Sequence, residues 1–206
     1  MAVYKRKYSS YKQYIRHQAR KAKKLKKRKA KFKANVRSFC RRFGEFIQYF
    51  SGKKVLCLGA RFGEEVLALK KMGYPNTIGI DLEPGHPKYV IKGDFHNIPF
   101  EDGSFDSVYI NCIDHAWDIQ SLFIEAGRVL KRDGVFILEI QHIIGVNRKQ
   151  RRELIGSGSK YESVVFDRVS DISKMATGFK LIKEFKSKYR KIVVVFQKIY
   201  VPDWGI

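Results

Sequence analysis

Apolar residues along this chain fall into two rhythms that change near Gly52. Before it they recur at helical spacing. Tyr4, Tyr8, Tyr11 and Ile15 make a weak aromatic stripe in a segment of Lys, Arg, Tyr, Gln and Ala. Phe39, Phe43, Phe46, Ile47 and Phe50 predict an amphipathic helix over 37–51 that packs on a domain and ends at Ser51-Gly52. Beyond Gly52, short apolar runs alternate with helical stretches. Strands are predicted at 54–58 (KVLCL), 77–81 (TIGID), 89–92, 105–111 (FDSVYIN) and 135–140 (VFILEI), with helices at 63–72 and 119–130. This alternation argues for an α/β fold with a parallel sheet covered on both faces. The runs at 179–185 and 191–198 flank a short basic turn and read as an antiparallel hairpin. The stretch 141–165 is irregular, with Gly145, Gly156 and Gly158. A loop of that length in a domain is usually functional or disordered. The expected organisation is an arm over 1–36, the helix over 37–51 and one domain over 52–206, with 141–165 as a substrate-side loop.

Charge changes the picture of the arm. The formal net charge is +22, and 18 of the 42 Lys and Arg residues precede Gly44, where no Asp or Glu occurs. The remaining 24 face 20 acidic residues. A near-neutral domain thus carries a cationic arm, disordered or fraying alone because like charges repel along it, and helical once they are neutralised. Such asymmetry suggests a polyanionic partner through residues 5–42: RNA, an anionic membrane surface or an acidic protein. The candidate contacts are Lys23, Lys24, Lys26, Lys27, Arg28 and Lys29 in KKLKKRK, and Arg148, Lys149, Arg151 and Arg152 in the loop. Lysines bind phosphate backbones by counterion release, and interleaved tyrosines can stack on unpaired bases. A targeting signal or a solvated tail would look similar.

Cys40, Cys57 and Cys112 show neither a disulfide framework nor metal-ligand spacing, which reads as reduced thiols and no metal. No apolar run reaches 18 residues, and the N-terminus lacks the apolar block of a secretory signal. An intracellular protein, cytoplasmic or nuclear, is expected.

Three segments carry candidate chemistry. In VLCLGARFGEEV (55–66) a strand enters a glycine-flanked turn and then a helix. Gly59 allows a sharp turn and close backbone approach, and Gly63 allows tight strand–helix packing. Helix N-terminal amides would face a ligand there, although a purely structural turn has the same form. Asp81 ends the second strand about 20 residues later, where a carboxylate can accept both hydroxyls of a ribose or simply cap a turn. Asp94, in GDFHNIPFEDGSFDSVYIN (93–111), could accept from an adenine amino group while a nearby backbone N–H meets a ring nitrogen. The alternative is a second turn aspartate. The segment EAGRVLKRDGVFILEI (125–140) has no direct chemistry.

Taken in order, VLCLGARFG, IGIDLEP, GDFHNIPFEDGSFDSVYIN and RVLKRDGVFIL resemble the class I S-adenosylmethionine-dependent methyltransferases, over residues 50–200. The likeness is to the group with an "LPF…SFD" and an "RVLKPGG" segment. The resemblance implies a Rossmann-like fold, with a seven-stranded mostly parallel sheet in the order 3-2-1-4-5-7-6 and strand 7 antiparallel. It implies S-adenosyl-L-methionine as cofactor. Gly59, Ala60 and Gly63 would cradle its methionine portion and Asp81 its ribose. Asp94 and Phe95 would meet the adenine edge and Leu82 its face, with Asn111 near the sulfonium. Arg61 stands where the family commonly has a glycine. It could bind the cofactor's carboxylate as a bidentate partner, point to solvent, or obstruct the pocket.

Methyl transfer from a sulfonium is an in-line displacement in which the protein mainly positions the nucleophile and excludes water. His115 follows the fourth strand on the acceptor side. It is a candidate base or positioning residue, with Asp114 as its orienter, or else a helix cap. The aromatic-proline tetrapeptide of many base-amino methyltransferases is absent from NCIDHAW (111–117), which argues against exocyclic-amine chemistry. Two other functions compete. One is a binding module with a degenerate pocket. The other is a nicotinamide-dependent oxidoreductase, against which the tail hairpin and the Asp94 segment count.

Overall fold

A computed structural model describes residues 3–4, 8–25, 31–140, 164–166 and 168–199. Two helices precede the domain, α1 (Tyr11–Leu25) and α2 (Phe32–Phe43). α1 turns Tyr14 and Gln18 inward and Lys12, Arg16 and Arg20 outward, so its buried face includes a tyrosine outside the stripe the spacing suggested. The single helix expected over 37–51 is divided. α2 ends at Phe43 with Gly44 as its cap, and a one-turn 3-10 helix, Ile47–Tyr49, follows. Gly44 is a poor helix former. Beyond it the chain bends toward the sheet, where the Ser51 amide donates to Ser107 Oγ at 2.9 Å. Phe43, Phe46 and Phe50 remain buried together across the break.

The domain alternates as the rhythm predicts: β2 (Val55–Leu58), α3 (Glu64–Lys71), β3 (Ile78–Asp81), β4 (Val90–Lys92), β5 (Phe105–Ile110), α4 (Ile119–Val129) and β6 (Leu130–Ile140). After β6 come β7 (Val164–Val165), α5 (Val169–Ser173), β8 (Phe179–Lys186) and β9 (Ile192–Lys198). The sheet order is β4-β3-β2-β5-β6-β9-β8. Counted along the chain this is 3-2-1-4-5-7-6, with the first five strands parallel and β9 antiparallel to both neighbours. A short strand β1 (Val3–Tyr4) pairs with β7, a long-range pairing without a sequence signal.

Successive residues of a strand face opposite sides, so the central strands feed two cores. Leu56, Leu58, Ile110 and Leu138 pack beneath α4 and α5. Cys57, Tyr109 and Ile137 pack beneath α2 and α3. Two polar ties hold the layers. Arg42 of α2 makes a fork to Glu139 of β6, Nε to Oε1 at 2.8 Å and Nη2 to Oε2 at 2.6 Å, and the Tyr109 hydroxyl donates to the same Oε2 at 2.5 Å. Arg128 of α4 donates to the Ile98 and Phe100 carbonyls and to Asp102, pinning the segment between β4 and β5. Lys26, Lys27, Arg28, Lys29, Arg148, Lys149, Arg151 and Arg152 lie outside the described residues, as do the side chains of Lys23 and Lys24.

Candidate active site

The strand order reverses between β2 and β5, which opens a crevice at the carboxyl ends of β2, β3 and β5, where open α/β sheets take ligands. The turn after β2 is built from left-handed residues: Gly59 has φ +67°, Arg61 +37° and Gly63 +74°. A Cβ on Gly59 would stand 2.4 Å from Cys112 Sγ, so only glycine fits between β2 and the segment after β5. The buried Phe95 ring lies beside the same point. The Ala60 amide donates to the Ile80 carbonyl at 3.0 Å, and the Gly63 amide to the Ala60 carbonyl at 2.7 Å, which fixes the bend. A non-glycine left-handed residue costs about 1 kcal/mol or more. At Arg61 that strain is held by its amide on Asp81 Oδ2 at 3.1 Å and its carbonyl under the Gly85 amide at 2.7 Å.

Asp81 is buried at the end of β3. Its Oδ2 accepts from Arg61 and its Oδ1 from the Glu83 amide at 2.8 Å. Burial pushes this carboxyl up, while the two amides and the Arg61 guanidinium pull it back. Each oxygen keeps acceptor capacity, so a vicinal diol fits the carboxylate. Arg61 Nε is buried and has no hydrogen-bond partner among the described residues. Its guanidinium also favours the thiolate of Cys112. A cation at the glycine turn with an unspent donor fits a ligand carboxylate, and the solvent-pointing alternative does not describe this side chain. Leu82 follows Asp81, half-buried.

Across the crevice, Asp94 is held from two sides. Its Oδ1 accepts from the His96 amide at 2.9 Å and from His96 Nδ1 at 2.8 Å, and its Oδ2 from the Tyr11 hydroxyl of α1. His96 Nε2 accepts from the Trp117 and Asp118 amides at 3.1 and 3.2 Å, so the ring proton belongs on Nδ1. Burial pushes the Asp94 carboxyl up, but the His96 and Tyr11 bonds outweigh it and hold it below the usual carboxylate range. Tyr8, Tyr11, Tyr14, His96 and Trp117 pack edge to face or tilted over this corner. Burial keeps the Tyr11 and Tyr14 phenols protonated.

Asn111 directly follows β5, and a 3-10 turn, Ile113–His115, places Asp114 and His115 half-buried on the same rim. The fold thus gathers Gly59, Ala60, Arg61, Gly63, Asp81, Asp94 and Phe95 around one crevice with Asn111, Asp114 and His115 beyond β5. Sequence reasoning missed His96, Cys112, Tyr14 and the role of Tyr11 here. The Asp-x-His spacing was the one local hint of His96, because a side chain two residues from a turn aspartate can bond it.

The family model for the methyltransferase domain matches residues 56–138. A sterol 24-C-methyltransferase of Aspergillus fumigatus is 33% identical over 101 residues, which cover 41% of this chain and 27% of that protein. An uncharacterised protein of Methanocaldococcus jannaschii is 26% identical over 142 residues, 63% of this chain and 53% of that protein. The chain therefore spans from about a quarter to about half of these relatives' lengths. Among solved structures, an S-adenosylmethionine-dependent methyltransferase of Thermotoga maritima superposes with a TM-score of 0.65 at 16% identity, covering 86% of this chain and 97% of that one. A protein of Pyrococcus horikoshii gives 0.61 at 20% identity, covering 79% and 90%. At these identities the structural likeness is one of fold.

Proposed function

Since residues 56–138 are a methyltransferase domain of the class I S-adenosylmethionine-dependent family, we propose that this chain transfers the methyl group of that cofactor to an RNA acceptor. The observation that carries the transfer is the left-handed turn 59–63 locked by its own amide onto the buried Asp81. The fold and the family imply S-adenosylmethionine as cofactor, and when bound it supplies an electrophilic methyl on a sulfonium that leaves as a neutral thioether. The chain's own residues bind and orient. Asp81 takes the ribose hydroxyls, Arg61 the carboxylate, Gly59, Ala60 and Gly63 the methionine backbone by close approach, and Asp94, Phe95 and Leu82 the adenine. Asn111 stands toward the sulfonium. His115, with Asp114 beside it, takes the acceptor's proton where one must be lost. Unchanged turnover in His115→Ala removes it from the mechanism.

RNA as the acceptor rests on the cationic arm, whose described part presents Lys12, Arg16 and Arg20 outward. The experiment pairs calorimetry with S-adenosylhomocysteine and incubation with methyl-labelled cofactor plus RNA, protein and small-molecule pools. Wild type binds the nucleoside, Asp81→Asn binds at least tenfold more weakly, and label enters RNA. Label in another pool overturns the acceptor and leaves the enzyme. A second reading, a binding module on the same fold, is favoured by the crevice-side Arg61, and failure of the wild type to bind S-adenosylhomocysteine selects it.

A further inference from the structure

We infer that helix α1 is a lid over the cofactor crevice, latched by the Tyr11 hydroxyl on Asp94, and that Tyr11 and His96 are positioning residues for that carboxylate. The inference rests on the crevice being the nucleoside site proposed above. Three elements distant in sequence meet at one polar node. Tyr11 reaches Asp94 across 83 positions, and His96 joins Asp94 to the amides of Trp117 and Asp118 in the segment after β5. Lid, adenine-side loop and acceptor-side loop therefore share one carboxylate.

The node is built to take one more donor. A carboxylate offers about four lone-pair directions. The His96 amide, His96 Nδ1 and the Tyr11 hydroxyl use three, and the second position on Oδ2 remains for the amino group of a purine. Tyr11 thus clamps rather than competes. Its phenol is protonated at neutral pH, because burial and the Asp94 charge both oppose ionisation, so it stays a donor to the carboxylate.

Apolar packing seats the lid. Tyr14 is 1% exposed and lies between Tyr8, Tyr11, His96 and Trp117. Its hydroxyl end lies near enough to Cys112 and Asp94 for their charges to disfavour its ionisation, which puts α1 above the span between the glycine turn and the adenine-side carboxylate. The opposite face carries Lys12, Gln13, Arg16 and Arg20 in solvent. The amphipathic division of α1 therefore has an aromatic face that closes the crevice and a cationic face that stays outside, and closing excludes water from a site that needs to be dry.

The test uses the full chain, wild type and Tyr11→Phe, which removes the latch oxygen and keeps the ring. Calorimetry measures S-adenosylhomocysteine affinity, and limited trypsin digestion reads cleavage after Arg16 and Arg20 with and without the nucleoside. In wild type, cleavage at both positions is slow and slows further with ligand. In Tyr11→Phe it is faster, and the nucleoside binds about tenfold more weakly, the loss of one hydrogen bond to a charged group. Equal or tighter nucleoside binding by Tyr11→Phe overturns the lid, as does equal cleavage of the two proteins. Wild type that binds no nucleoside sinks the methyltransferase reading instead. The latch then stands or falls on the trypsin comparison alone.

Discussion

Glu65 sits in the first turn of α3, 4% exposed, where burial pushes its carboxyl up to about 8. Its own backbone amide and Arg42 oppose the rise, and Glu64 and Asp81 add to it. The folded state therefore keeps a proton that the unfolded chain, with an ordinary value near 4.5, has released. Stability contributed by the protonated form is full below about 4.5, declines as pH rises, and is gone above about 8. Urea midpoints measured between pH 5 and 9 should fall for wild type by an amount worth a few kcal/mol, relative to Glu65→Gln, which lacks the group. Parallel curves for the two proteins would show that Glu65 ionises freely. At this scale Gly59, Asp81 and Asp94 are legible because their requirement is local: a bend, then a carboxylate at a strand end. Tyr14 and His96 are not, because what makes them matter is a partner brought from far along the chain.

Among elements, α2 shows where a pattern suffices and where it stops. The phenylalanine spacing correctly marks a buried face, yet the helix stops at Phe43 because the chain must turn at Gly44 to reach β2. Nothing in VFILEI distinguishes Glu139 from a surface residue, and only the superposition of α2 on β5 and β6 gives it Arg42 and Tyr109. Removing one member of such a node strands a charge: the Glu139 side chain is 1% exposed. Arg42→Ala should therefore cost about 3 kcal/mol in chemical denaturation, partly through the lost packing of the guanidinium on Phe39. A loss under about 1 kcal/mol would mean that water replaces the guanidinium.

At the scale of the whole molecule, charge is segregated more sharply than fold. The domain is near neutral and the arm is cationic, with α1 fastened by aromatic residues so that Lys12, Arg16 and Arg20 face out. Binding of a single-stranded homopolymer should weaken with salt, and each phosphate contact adds about 0.7 to the log–log slope. Replacing Lys12, Arg16 and Arg20 by Gln should lower that slope by about 2. An unchanged slope would show that the outward face of α1 does not meet the polyanion. No helix among the described residues is long and apolar enough to cross a membrane.

Order along the chain determines the sheet here. Short apolar runs buried on both faces, separated by helical stretches and ended by a hairpin, leave one arrangement that satisfies their backbone groups and the handedness of their crossovers. The glycine turn and its carboxylate come with that arrangement, since both sit at strand ends. The pairing of β1 with β7, the placing of α1 on the crevice and the triple bond to Asp94 come only with tertiary structure. They join residues tens of positions apart through single side chains, and no periodicity records which distant partner such a side chain will meet.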